Sequence, residues 1–93
     1  MFVQILWDLE DDPSGNIQHL AEHDVTQEEF EEIFINHYHE ATTSRTSGEE
    51  ITFGWTSTGK YLAILFEEVN KDPFIIRPIT AYPTNPPRSR KRK

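Results

Sequence analysis

Apolar side chains open the chain almost without a break. Residues 2–7 read Phe-Val-Gln-Ile-Leu-Trp, a run dense in residues that suit a pleated surface, and predict a strand. Acidic residues at 8 and 10–12 end it. Asp12 and Pro13 then have the form of an N-cap followed by proline at the first helical position. Ile17, Leu20 and Ala21 stand at i, i+3 and i+4, one narrow apolar stripe, so a short helix is expected to end near His23. The second helix is written more strongly. Thr26 and Glu29 have the spacing of a capping box, and Val25 with Phe30 has that of a hydrophobic staple. Glu28, Glu29, Glu31 and Glu32 crowd the positive end of its dipole, while Phe30, Ile33 and Phe34, with His37 and Tyr38 beyond, form the apolar face.

Residues 40–48 are polar, rich in Ser and Thr, and read as a loop. After them Ile51, Phe53 and Trp55 alternate with Thr52, Gly54 and Thr56, the pattern of a half-buried strand. Ser57-Thr58-Gly59 supplies a hairpin turn. Residues 60–67 are apolar on both faces, as in a central strand. Asn70-Lys71-Asp72-Pro73 turns the chain into a last strand, 74–82, interrupted by Pro78. Proline cannot donate to a ladder, so Pro78 belongs on an edge or at a bulge. In a regular strand Arg77 points to the face opposite Thr80 and Tyr82. A one-residue bulge would bring all three to one side. The order β-α-α-β-β-β is an α+β fold: two helices on a mainly antiparallel four-stranded sheet. Residues 1–83 read as one domain, and 84–93 as a Pro-rich, basic, disordered tail.

The 12% aromatic share, with six Phe, three Tyr and two Trp, is what lets a 93-residue chain build a packed core despite its polar average. Without cysteine the fold must hold by burial, and no thiolate metal site is possible. No secretory leader or membrane span is read, because the apolar start is too short and acidic residues follow at once. Together these point to a cytoplasmic protein. The formal charge of −7 conceals a split. Sixteen acidic residues against Arg45, Lys60, Lys71 and Arg77 leave the body at −12, and Arg88, Arg90, Lys91, Arg92 and Lys93 add +5. Such a body repels phosphate backbones at long range and favours basic partners, which weighs against a general nucleic-acid binder.

Few residues carry candidate chemistry. His19-Leu20-Ala21-Glu22-His23 matches the H-x-x-E-H string of inverted zinc peptidases, and residues four apart do share a helix face. A catalytic zinc would also need a third ligand and a cleft, whereas two helix-end histidines need neither. His37 and His39 likewise suit a helix C-terminus without any metal. Arg77 is the more informative charge, since an unpaired arginine inside an apolar strand is costly to bury. It is either an edge-strand arginine, solvated or paired, or a clamp for a phosphate, whose geometry guanidinium matches. Metal-free RNA cleavage needs such a cation, with groups that move protons to and from the 2′-oxygen and the leaving oxygen. His23 and Tyr82 are chemically suitable, and Lys60 could add charge.

Several stretches together resemble the BrnT-type toxins. They are Trp7-Asp8 after the first strand, Glu22-His23-Asp24-Val25-Thr26, Gly48-Glu49-Glu50, Thr56-Ser57-Thr58-Gly59-Lys60 and Ile76-Arg77-Pro78-Ile79-Thr80-Ala81. That family is RelE-like in fold and consists of small ribonucleases of bacterial type II toxin–antitoxin modules. The resemblance implies RNA as substrate, no cofactor or metal, and a small DNA-binding antitoxin protein as partner. It implies catalytic roles for His23 and Arg77 and substrate-binding roles for Lys60 and Thr80, and Tyr82 joins the catalytic candidates on its chemistry alone. Three positions depart from the family pattern: Glu22 replaces its lysine, Asp24 its glycine, and Tyr82 its arginine. A protein-binding module without catalysis, acting through its acidic surface, is the alternative on the same fold. The sequence leaves oligomeric state open, a homo-oligomer among the states it allows.

Overall fold

The computed structural model describes residues 3–44 and 48–87; Arg45 and residues 88–93 of the tail expected to be disordered lie outside the described residues. The chain runs β1 (Val3–Ile5), α1 (Asn16–Glu22), α2 (Gln27–His37), a 3-10 turn (Tyr38–Glu40), β2 (Thr42–Thr43), β3 (Glu50–Trp55), β4 (Tyr61–Asn70) and β5 (Phe74–Pro83). The fold is α+β, with a five-stranded sheet in the order β1-β5-β4-β3-β2. Every pairing is antiparallel except that of β1 with β5. The expected count of four strands is therefore one short. The extra strand is β2, two residues from the Thr-rich stretch expected to be loop, paired with Glu50 and Ile51. A pair of threonines has no periodicity to detect.

Both helices lie on one face, and the core forms beneath them. Leu20, Val25, Phe30, Ile33 and Phe34 meet Leu62, Ile64, Phe66, Ile76 and Ala81 from the sheet. α2 starts as its capping box dictates: Thr26 Oγ1 accepts from the Glu29 N–H, and Glu29 Oε1 accepts from the Thr26 N–H, both at 3.1 Å. The staple pair Val25 and Phe30 is buried. α1 begins later than Asp12-Pro13 predicts. Asp12 instead closes a turn by accepting from the N–H and hydroxyl of Ser14, and the N-cap is Gly15. The first helical N–H, that of Asn16, is taken by the carboxylate of Asp8 at 2.8 Å. α1 ends at His23, with Asp24 left-handed (φ 61°) and the Val25 N–H reaching back to the Leu20 carbonyl, a Schellman closure.

The alternation in β3 holds, but its small face is the buried one. Thr52, Gly54 and Thr56 face α2, while Phe53 and Trp55 remain 42% and 56% exposed on the face away from the helices. Bulk on the helix decides this. A Cβ at Gly54 would come 2.6 Å from His37 Nε2 and 3.2 Å from Ile33 Cδ1, so only glycine fits beneath α2. Tyr61, across from Trp55, stacks with Phe53 (centroids 6.3 Å, planes 8° apart) and tilts against Trp55 (5.2 Å). An open cavity of ≈ 270 Å³ between Phe53, Tyr61, Asn85 and Pro87 marks where the end of the described chain crosses this face.

Candidate functional site

Pro78 sits at both places where proline is tolerated. β1 pairs with β5 only as far as Ile76, so Pro78 lies on an edge. The β4–β5 register also shifts there: Phe66 faces Pro78 and Leu65 faces Thr80, leaving Ile79 as an extra residue. Because of this bulge, Arg77, Thr80 and Tyr82 stand across from Glu67, Leu65 and Ala63, alternate residues of β4 that share the face away from the helices.

A common face does not make a common site. Arg77 and Tyr82 are four β4 positions apart, about 13 Å along the strand. Arg77 Nη2 is bound to Asp8 Oδ2 at 2.7 Å, and its side chain is 40% exposed. Asp8 belongs to a knot at the start of α1. Its carboxylate accepts from the Asn16 N–H, its own N–H donates to Asn16 Oδ1 at 2.9 Å, and Asn16 Nδ2 donates to the carbonyls of Leu6 and Pro78, both at 3.1 Å. Asn16, only 4% exposed, thus fills the gap where β1 parts from β5. The Asn16 N–H first, joined by the Arg77 guanidinium, holds the Asp8 carboxyl below its ordinary range against the opposing effect of burial.

The remaining candidates gather at the far end of α1, about 10 Å from Asn16 at helical rise. His23 touches Tyr82 edge-on (centroids 6.1 Å) and stacks loosely on His19 at 6.0 Å. Lys60 Nζ donates to the Asp24 carbonyl at 2.6 Å and meets Glu29 Oε1 at 3.3 Å and Asp24 Oδ2 at 3.5 Å. An ammonium has three protons, and three oxygens surround this one. Burial would raise the Glu29 carboxyl. The Thr26 N–H, the Thr58 hydroxyl and Lys60 outweigh it and hold the group below the usual carboxylate range. Thr80 Oγ1 is buried and makes no hydrogen bond among the described residues. Among those residues no group of three or more His, Asp or Glu is placed to hold a metal ion, and no helix is long and apolar enough to cross a membrane.

The five candidates therefore form two groups: His23, Tyr82 and Lys60 near the α1–α2 corner, and Arg77 with Asp8, with Thr80 between them. Sequence reasoning passed over Asn16, although a polar residue four before Leu20 on the buried stripe of a short helix is a usable signal. It also read Glu29 only as a capping residue, when its second oxygen serves Thr58. No protein-family model matches the chain, and no match is found among curated proteins or solved structures.

Proposed function

We propose that this chain is a protein-binding module whose surface is its acidic body, without RNA cleavage. One observation carries the proposal: each candidate cation is paired with a carboxylate, Arg77 with Asp8 and Lys60 with Glu29 and Asp24. A phosphate clamp must present uncompensated positive charge to an incoming phosphodiester anion or to the charge developing in its transition state. Here the charge is met within the fold, and the surrounding body stands at −12. A phosphodiester would have to displace carboxylates from both cations.

A toxin-like ribonuclease is the second reading. It is favoured by the His23–Tyr82 contact and by the bulge that turns Arg77, Thr80 and Tyr82 to one face. On that reading His23 and Tyr82 move protons, Arg77 and Lys60 hold the phosphate, and a small DNA-binding antitoxin protein is the natural partner. Overexpression in a bacterium, beside an Arg77→Ala variant, separates the two. The binding-module proposal expects normal growth and intact RNA from both. Growth arrest with RNA loss that vanishes in the variant would overturn it.

A further inference from the structure

Among the described residues, the outer edge of β3 combines open backbone with open aromatic surface. At the hairpin end the Thr56 N–H donates to the Lys60 carbonyl at 2.8 Å, which sets the phase of the ladder. With that phase, Thr52, Gly54 and Thr56 turn their main-chain groups toward β4, and Phe53 and Trp55 turn theirs away. β2 reaches only Glu50 and Ile51, so the N–H and C=O groups of Phe53 and Trp55 lie on the sheet's margin. Protected edges carry proline, lysine, a bulge or a cover. Residues 52–56 contain no proline and no charge, and their register with β4 runs without a shift. Both outward residues also leave large apolar side chains exposed.

Charge selects the occupant. On the helix side the strand is bracketed by carboxylates: Glu32, which accepts from Ser57 at 2.9 Å, lies at one end, and Glu50, bonded to Thr43, at the other. A second copy, paired antiparallel edge to edge about Gly54, would bring Glu50 of each copy toward Glu32 of the other and one −12 body against another. A basic chain meets no such repulsion. We propose that the β3 edge docks an extended segment of a basic partner protein. The segment adds a strand beside residues 52–56, with apolar side chains over Phe53 and Trp55 and lysine or arginine at alternate positions toward Glu32 and Glu50. This inference rests on the binding-module reading and adds the surface and the partner's chemistry to it.

The test uses the full chain and a ten-residue peptide alternating valine and lysine. In the proposed register the valine N–H groups point at β3 and the lysine N–H groups point away. The peptide should slow amide exchange at Phe53 and Trp55 while leaving Gly54, already bonded to β4, unchanged. N-methylation of two valines should weaken binding by about tenfold per hydrogen bond lost, and the same change on two lysines should not. Trp55→Lys should weaken binding without unfolding the chain, checked by circular dichroism. Equal binding of both N-methylated peptides would overturn the proposal. So would slowed exchange at Phe53 and Trp55 in concentrated protein alone with a doubled mass, which assigns the edge to a second copy. Quenching of Trp55 by an oligouridylate with no change in amide exchange would overturn it in favour of base stacking. These failures leave the growth assay untouched, and RNA loss in that assay would overturn the module reading whatever the peptide does.

Discussion

Replacing Asn16 with alanine removes the side chain that joins β1, α1 and β5. Three groups lose a partner: the N–H of Asp8 and the carbonyls of Leu6 and Pro78. Each such bond contributes about 0.5–1.5 kcal/mol net, and leaving a partner buried costs more than the net value. Only the bond to Pro78 is fully buried; water can reach the other two groups and recover part of their loss. Three bonds on this scale sum to roughly 2–4 kcal/mol, from which the better helix propensity of alanine subtracts about 0.5 kcal/mol. The expected loss is therefore about 1.5–3.5 kcal/mol, a large part of the roughly 5–14 kcal/mol that a domain of this length commands. Urea unfolding at pH 7, followed by fluorescence of Trp7 and Trp55 and by circular dichroism, measures it. Asn16→Asp keeps the acceptor for Asp8 but loses both donors and faces the Asp8 carboxylate, so it should cost at least as much. If Asn16→Ala lies within about 0.5 kcal/mol of the parent, its hydrogen bonds do not hold β1 to β5 and the reasoning is wrong.

Gly54→Ala should destabilise by about 1–2 kcal/mol, because its Cβ displaces the His37 ring from its 2.9 Å contact with Glu40, and adding His37→Ala should recover most of the loss in a double-mutant cycle. Asp24→Gly should stabilise by about 0.5–1 kcal/mol and raise Tm by a few degrees in calorimetry, since glycine removes the left-handed strain while Lys60 keeps the main-chain carbonyl. Acid should weaken the fold in a defined window. Asp8 and Glu29 are held below their ordinary values in the folded chain, so below about pH 4 the unfolded chain binds more protons. Urea midpoints should thus be flat above about pH 5 and fall toward pH 3, and Asp8→Asn with Glu29→Gln should flatten that fall; a parent that is equally stable at pH 3 and 7 contradicts it.

Element types were legible wherever short-range chemistry decides them. Thr26 and Glu29 announce α2 because both capping bonds close within one turn. Pro78 announces an irregular edge because it cannot donate. What stayed hidden depends on contacts between distant segments. The start of α1 is set by Asp8 rather than by the adjacent Asp12, and nothing in residues 12–16 records that the carboxylate arrives from the preceding strand. The buried face of β3 is set by His37 and Ile33, so the larger side chains of that strand turn outward, against the usual reading of an apolar alternation. The candidate site was legible as residue types only. That Arg77 and Lys60 each meet a carboxylate follows from the path of the chain, and spacing along the sequence does not reveal it.

The parallel pairing of β1 with β5 also orders events in time. β3, β4 and β5 are successive hairpins and can assemble from local contacts as soon as they exist. The first strand has no neighbour of its own: its ladder partners are residues 74–76, and the bond from Asp8 to Arg77 spans 69 positions. A chain emerging from the ribosome therefore makes its amino-terminal segment first and docks it last. Until Ile76 is released, Val3, Ile5 and Trp7 have no sheet to join, and the core under α1 stays open. Any truncation ahead of residue 74 should leave that half of the molecule unfolded, however complete its helices are in sequence.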